Sequence, residues 1–178
     1  MTSVTSVAPL TVLFVCTGNV HRSPLAERLL RARMPGVRAV SAGTFARPGA
    51  PMDTATRSVL EELGGDSAGF ASTQLTAELV ERSGLVLGLA REHREAAVRL
   101  APLALRRTFT LREFLRLSDG TGVPGAAVRR GTLPAVPAAE DEVPDPWGQG
   151  YDALKDCGRD LDVLVKELVR AISPMVCE

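Results

Sequence analysis

Cys16 and Arg22, with Thr17-Gly18-Asn19-Val20-His21 between them, are the residues of this sequence best placed to act on an anion. The run Thr11 to Val15 reads as a buried strand, and open α/β sheets bind ligands outside the carboxyl ends of their strands, where Cys16 falls. From there the backbone must curl before a helix starts at Pro24, which aims successive N–H groups inward as an anion-binding nest at the positive end of a helix dipole. Gly18 permits the tight turn, Asn19 bonds to neighbouring backbone, and the Arg22 fork suits two phosphate oxygens. Thr17, Val20 and His21 complete the phosphate-binding turn. The same field favours thiolate over thiol at Cys16 and so makes it a nucleophile toward phosphorus. Ser23 is expected to cap the helix or donate to the sulfur. Treating Cys16 as an ordinary core cysteine leaves this whole set without a reason, and an arginine beside a helix's positive end calls for an anionic partner.

The elements that must hold this turn follow from periodicity. Thr11 to Val15 is the first strand, and Leu25, Leu29 and Leu30 recur at helical spacing until Pro35-Gly36. Val37 to Ala42 is the second strand and Ala55 to Leu63 the second helix. Thr76 caps a short helix through Glu81, Leu85 to Leu89 is the third strand, and Arg91 to Leu100 is a charged helix. Thr108 to Leu111 gives a fourth strand, with helical turns from Arg112 to Leu117 behind it. Ser118 to Pro144 shifts to Gly, Pro, Ala and Arg and reads as a long surface loop. Tyr151 to Ile172 is one amphipathic helix. Strands alternating with helices predict a single doubly wound α/β domain over residues 11–173, its four-stranded parallel sheet in the order 2-1-3-4 and flanked by helices. Residues 1–10 are expected to be a flexible leader and 174–178 a tail.

Cys16-x5-Arg22-Ser23-Pro24, with Gly18 and Asn19 inside it, resembles the signature of the low-molecular-weight protein tyrosine phosphatases. Ser41-Ala42-Gly43-Thr44, Leu85-Val86-Leu87 and Asp145-Pro146 resemble that family in the same order. The resemblance implies hydrolysis of a phosphate monoester through a phosphocysteine, with inorganic phosphate as product and neither metal nor cofactor. The expelled alkoxide or phenolate needs a general acid. Asp145 is the candidate, because Val143-Pro144-Asp145-Pro146-Trp147-Gly148 resembles the family's acid loop and two prolines stiffen the turn. Asp141 and Glu142 lack that setting. Trp147 is read either as a wall for an aryl phosphate or as core. His21 stands where some members carry a second cysteine and is expected at the rim, while His93 is expected in solvent. Phe70 and Thr73 replace a histidine and an arginine that members often have, which leaves the support behind the loop in question. Cys157 and Cys177 read as packing and as frayed terminus.

Composition narrows the partners. Lys and Arg number 21 and Asp and Glu 21, so no long-range field attracts nucleic acid or an anionic membrane, and aromatic residues make up only 4%. Three cysteines form neither a disulfide framework nor a C-x-x-C zinc pair. The amino terminus lacks a basic start and long apolar stretch, so the expected location is cytoplasmic. The expected substrate is a phosphotyrosyl protein. Alternatives are a small phosphate monoester of a biosynthetic pathway, arsenate reduction, and a phosphate- or phosphotyrosine-binding module without turnover.

Overall fold

A computed structural model describes residues 9–118 and 139–176. Its central strand, β1 (Thr11–Cys16), is buried on both faces. Val12, Phe14 and Cys16 enter one apolar cluster, Leu13 and Val15 the other. A strand with two buried faces has no polar side to show, which is why Val-Leu-Phe-Val lacks period-two alternation. β2 (Arg38–Gly43) and β3 (Leu85–Gly88) flank β1, and β4 (Thr108–Thr110) lies outside β3, all parallel, in the expected order 2-1-3-4.

The helices are α1 (Arg22–Arg33), α2 (Thr54–Glu62), α3 (Ala77–Arg82), α4 (Arg91–Leu100), α5 (Leu111–Ser118) and α6 (Tyr151–Val176). Boundaries read from sequence fall close to these. The Thr76 hydroxyl caps α3 as expected, accepting from the Leu79 N–H at 3.3 Å, and Asp53 caps α2 by accepting from the Thr56 N–H at 3.0 Å. Leu161, Val165, Leu168 and Ile172 of α6 are fully buried against α1 and α2. At about 1.5–3 kcal/mol per large apolar side chain, this burial outweighs helix-propensity differences of at most about 1 kcal/mol per ordinary residue.

Two features aim the sheet at the site. Cys16 lies opposite Gly43 in the β1–β2 register, and a Cβ at Gly43 would stand 2.5 Å from the Thr17 carbonyl oxygen and 2.8 Å from the Asn19 nitrogen. Only glycine lets β2 end against the turn that leaves β1. On the other flank, the Val143 N–H donates to the Leu89 carbonyl at 2.8 Å, and Val143 is buried. The last residues of the predicted surface loop are therefore tied to the edge of β3. Residues 119–138 of that loop, the leader through residue 8, and Cys177 lie outside the described residues.

Candidate active site

The turn from Cys16 to α1 is held by a chain of buried side-chain hydrogen bonds. Asn19 adopts a left-handed backbone conformation at φ 53°. Asn and Asp tolerate that region because a short polar side chain can bond locally. Here Asn19 Nδ2 donates to Ser23 Oγ and to Ser41 Oγ, each at 2.9 Å, while Oδ1 accepts from the Thr73 N–H at 2.8 Å. The positive φ of the turn falls on Asn19, not on Gly18. The support behind the loop comes from the backbone of Thr73, so that position's side chain need not be an arginine.

Counting donors orients the rest. Ser41 already accepts from Asn19, and its own proton goes to Glu27 Oε2 at 2.6 Å. Ser23 has one proton and two acceptors in reach, Cys16 Sγ at 2.9 Å and the Ala42 carbonyl at 3.4 Å, so the sulfur is the nearer. Ser23 is not the helix cap. It is the second residue of α1, and His21 at the N-cap makes no side-chain capping bond. Of the two roles expected for its hydroxyl, the contact with the sulfur is the one the geometry gives.

Among the described residues, the backbone N–H groups of Gly18 through Arg22 donate to no protein acceptor. Such a run of spare N–H groups between a cysteine and a helix start without a side-chain cap is the arrangement that suits an anion. Arg22, the first residue of α1, is 5% exposed. It donates to the Val143 carbonyl at 3.1 Å and to Asp145 Oδ2 at 2.7 Å, using two of its five guanidinium donors. Asp145 is fixed further: Oδ1 accepts from the Trp147 N–H at 3.1 Å, and its carbonyl accepts from Gln149 Nε2 at 2.6 Å. Cys16, Thr17, Gly18, Val20, Arg22 and Asp145 line one cleft of about 460 Å³, with His21, Phe45, Arg47 and Trp147 forming its upper walls.

The sequence model of the family described as low molecular weight phosphotyrosine protein phosphatase matches residues 11–124. The chain belongs to this family. It is 31% identical over 165 residues to the protein-arginine-phosphatase of Geobacillus stearothermophilus, covering 92% of this chain and 97% of that one. It is also 31% identical over 144 residues to the low molecular weight protein-tyrosine-phosphatase Etp of Escherichia coli K12, covering 81% and 82%. The crystal structure of the Erwinia amylovora tyrosine phosphatase AmsI superposes with a TM-score of 0.75 at 25% identity, covering 95% of this chain and 97% of that one.

Several residues around this low-molecular-weight phosphatase cleft differ from their sequence reading or were missed by it. His93 is not in solvent. It is 1% exposed, its Nε2 lies 2.9 Å from Thr17 Oγ1, and burial followed by the Arg22 charge lowers its pKa to about 4. Glu92, Arg94 and Glu95 around it gave α4 the look of a solvated face, and only the docked loop reveals the burial. His21 sits at the rim as read. Thr56 Oγ1 donates to Asp53 at 3.2 Å and so must accept from His21 Nδ1 at 2.6 Å, which fixes the ring's tautomer. Burial lowers the His21 pKa, opposed by Asp53 and Asp145. Its ring lies 5.6 Å from that of Trp147. Trp147 is 68% exposed, which makes it a wall rather than core. Asp141 is buried in a pair with Arg116 at 2.7 Å, and Glu142 accepts from the Arg91 N–H, so both rival acids are engaged elsewhere. Glu27 carried no signal in the sequence, and Ser41 only as part of the segment that resembles the family, since their contact depends on two elements meeting. Cys157 is buried in α6, and burial pushes its thiol up to about 12. Among the described residues no cluster could hold a metal ion, and no helix is long and apolar enough to cross a membrane.

Proposed function

We propose that this chain hydrolyses phosphotyrosine on protein or peptide substrates through a phosphocysteine. The observation that carries the reading is the run of five N–H groups, unpaired among the described residues, curled between Cys16 and the start of α1, with Arg22 beside it. Cys16 attacks phosphorus as the thiolate, the sulfur–phosphorus bond forms, and the bond to the leaving oxygen breaks. The loop amides and Arg22 hold the three non-bridging oxygens, and the Ser23 hydroxyl steadies the sulfur both before attack and when it leaves. Asp145 protonates the departing phenolate. It then takes a proton from the water that displaces sulfur, so inorganic phosphate departs and the thiolate returns. An incoming phosphate dianion competes for Arg22 and frees the Asp145 carboxyl for this work.

The walls favour an aryl group. Phe45 is 83% exposed and Trp147 68%, and with Val20 they offer flat and apolar surface to a phenol ring. A phosphoarginine guanidinium would need a carboxylate beside it, whereas the one carboxylate lining the cleft, Asp145, is engaged as the general acid and Arg47 adds a further cation. Residues 11–173 form the catalytic domain on this reading. A reducing compartment keeps such a thiolate from oxidation, which supports a cytoplasmic location.

Rapid acid quench with a phosphotyrosyl peptide tests the proposal. Phosphate should be trapped on Cys16, and Cys16→Ser should lose turnover while still binding inorganic phosphate. Turnover with no phosphorylated Cys16, or faster release from phosphoarginine than from phosphotyrosine, would contradict it.

A further inference from the structure

The catalytic cleft has a neighbour. A groove of about 420 Å³ runs between the loop after β2 and α4, lined by Thr17, Phe45, Leu75, Glu92, Arg99 and Leu100 among others. Thr17 and Phe45 also line the catalytic cleft, so the two cavities share a wall. We propose that this groove is the subsite for residues flanking the phosphorylated tyrosine of a protein substrate, and that it selects an acidic side chain there. The proposal rests on the phosphatase reading above and adds to it the substrate class.

Three observations support it. The first is continuity: Phe45 stands as an exposed ridge between the cavities, so a chain that leaves its phosphotyrosine in one must pass the other. A small phosphate monoester would end at the ridge. The second is rigidity. Gln74 donates to the Thr44 carbonyl and accepts from the Ala46 N–H, both at 2.9 Å, and the Phe45 N–H donates to the Thr17 carbonyl at 2.9 Å. The ridge is therefore preorganised, which lowers the ordering cost of binding. The third is charge. Arg99 is exposed and makes no ion pair among the described residues, and Arg47 adds a second cation at the rim of the cleft. The opposing anion is Glu92, whose neighbour within ion-pair distance is His93 Nε2 at 3.4 Å, and that imidazole is neutral at physiological pH. Leucine and phenylalanine surface beside a spare arginine fits an acidic peptide with an adjoining apolar residue.

The test compares wild type with Arg99→Glu and Leu100→Ser on three substrates: p-nitrophenyl phosphate, a phosphotyrosyl peptide with aspartate flanks, and the same peptide with lysine flanks. Arg99→Glu should lower kcat/KM for the acidic peptide about tenfold and raise it for the lysine peptide. Leu100→Ser should weaken both peptides, and p-nitrophenyl phosphate should be turned over normally by both variants, which also reports correct folding. Equal kcat/KM changes for the two peptides in Arg99→Glu, with p-nitrophenyl phosphate unaffected, would overturn the groove and leave the phosphatase reading standing. A wild-type protein inactive on p-nitrophenyl phosphate would remove both.

Discussion

Asp145 is held by Arg22 and by its own turn before any substrate arrives, so its replacement by asparagine changes the chemistry while keeping most of the geometry. Asp145→Asn should slow kcat on a phosphotyrosyl peptide by about 10²–10⁴. The loss should shrink for aryl phosphates with acidic phenol leaving groups, which depart without a proton. An equal loss across a leaving-group series would assign Asp145 to positioning instead. Asn19 makes the complementary case, since it contacts the reacting atoms only through Ser23. Asn19→Ala removes three buried bonds at a positive φ, and should cost about 1–3 kcal/mol of stability together with activity. Asn19→Gly relieves the backbone but not the bonds. Denaturant midpoints for the two variants separate the contributions: if glycine restored full stability, the hydrogen bonds would be irrelevant and the φ angle alone decisive.

At the scale of elements, close approach decides more than propensity does. Gly158 lies inside α6, where alanine would ordinarily gain about 1 kcal/mol. A Cβ there would meet Val59 Cγ1 of α2 at 2.5 Å, and Val59 is 2% exposed with no room to retreat. Gly158→Ala should therefore lower stability by about 1–3 kcal/mol, and Val59→Ala in the same chain should recover part of it; a more stable single variant would show that α2 and α6 are not packed this closely. The same distinction explains what the sequence disclosed. Strand β1, helix α4 over Arg91–Leu100 and the start of α6 at Tyr151 were legible because apolar spacing and turn residues are local. The turn from Cys16 into α1 was legible for the same reason, since Cys16 through Ser23 are contiguous. Of the two roles read for Ser23, donor to the sulfur holds and helix cap does not, while His93 was misread as solvated because its partner, Thr17, comes from another element. Glu27 and Ser41 are joined only when α1 packs on β2.

For the whole molecule, 21 basic and 21 acidic residues cancel, so global charge repulsion contributes little near neutrality and a few buried groups set the response to acid. His93 is the main one. Its folded pKa, near 4, lies below the ordinary 6.5, so between those values the unfolded chain binds a proton that the folded protein refuses. Stability therefore rises with pH across this window and falls as pH drops from 6.5 to 4, by on the order of 3 kcal/mol from this group. His21, lowered in the same sense, adds to the slope. Glu27 and Glu113 act oppositely: burial raises both above 4.5, so the folded protein holds protons that the unfolded chain gives up, and they favour folding toward acid. The total slope thus mixes signs, and subtraction isolates the imidazole. His93→Gln keeps an amide nitrogen near the Thr17 hydroxyl but does not titrate. The stability of wild type relative to this variant, followed by urea unfolding from pH 7.5 down to 4.5, should decline steadily below pH 6.5. A difference that stayed flat would mean that His93 takes up its proton as readily in the folded protein as in the unfolded chain, and that the contact with Thr17 does not hold the imidazole neutral.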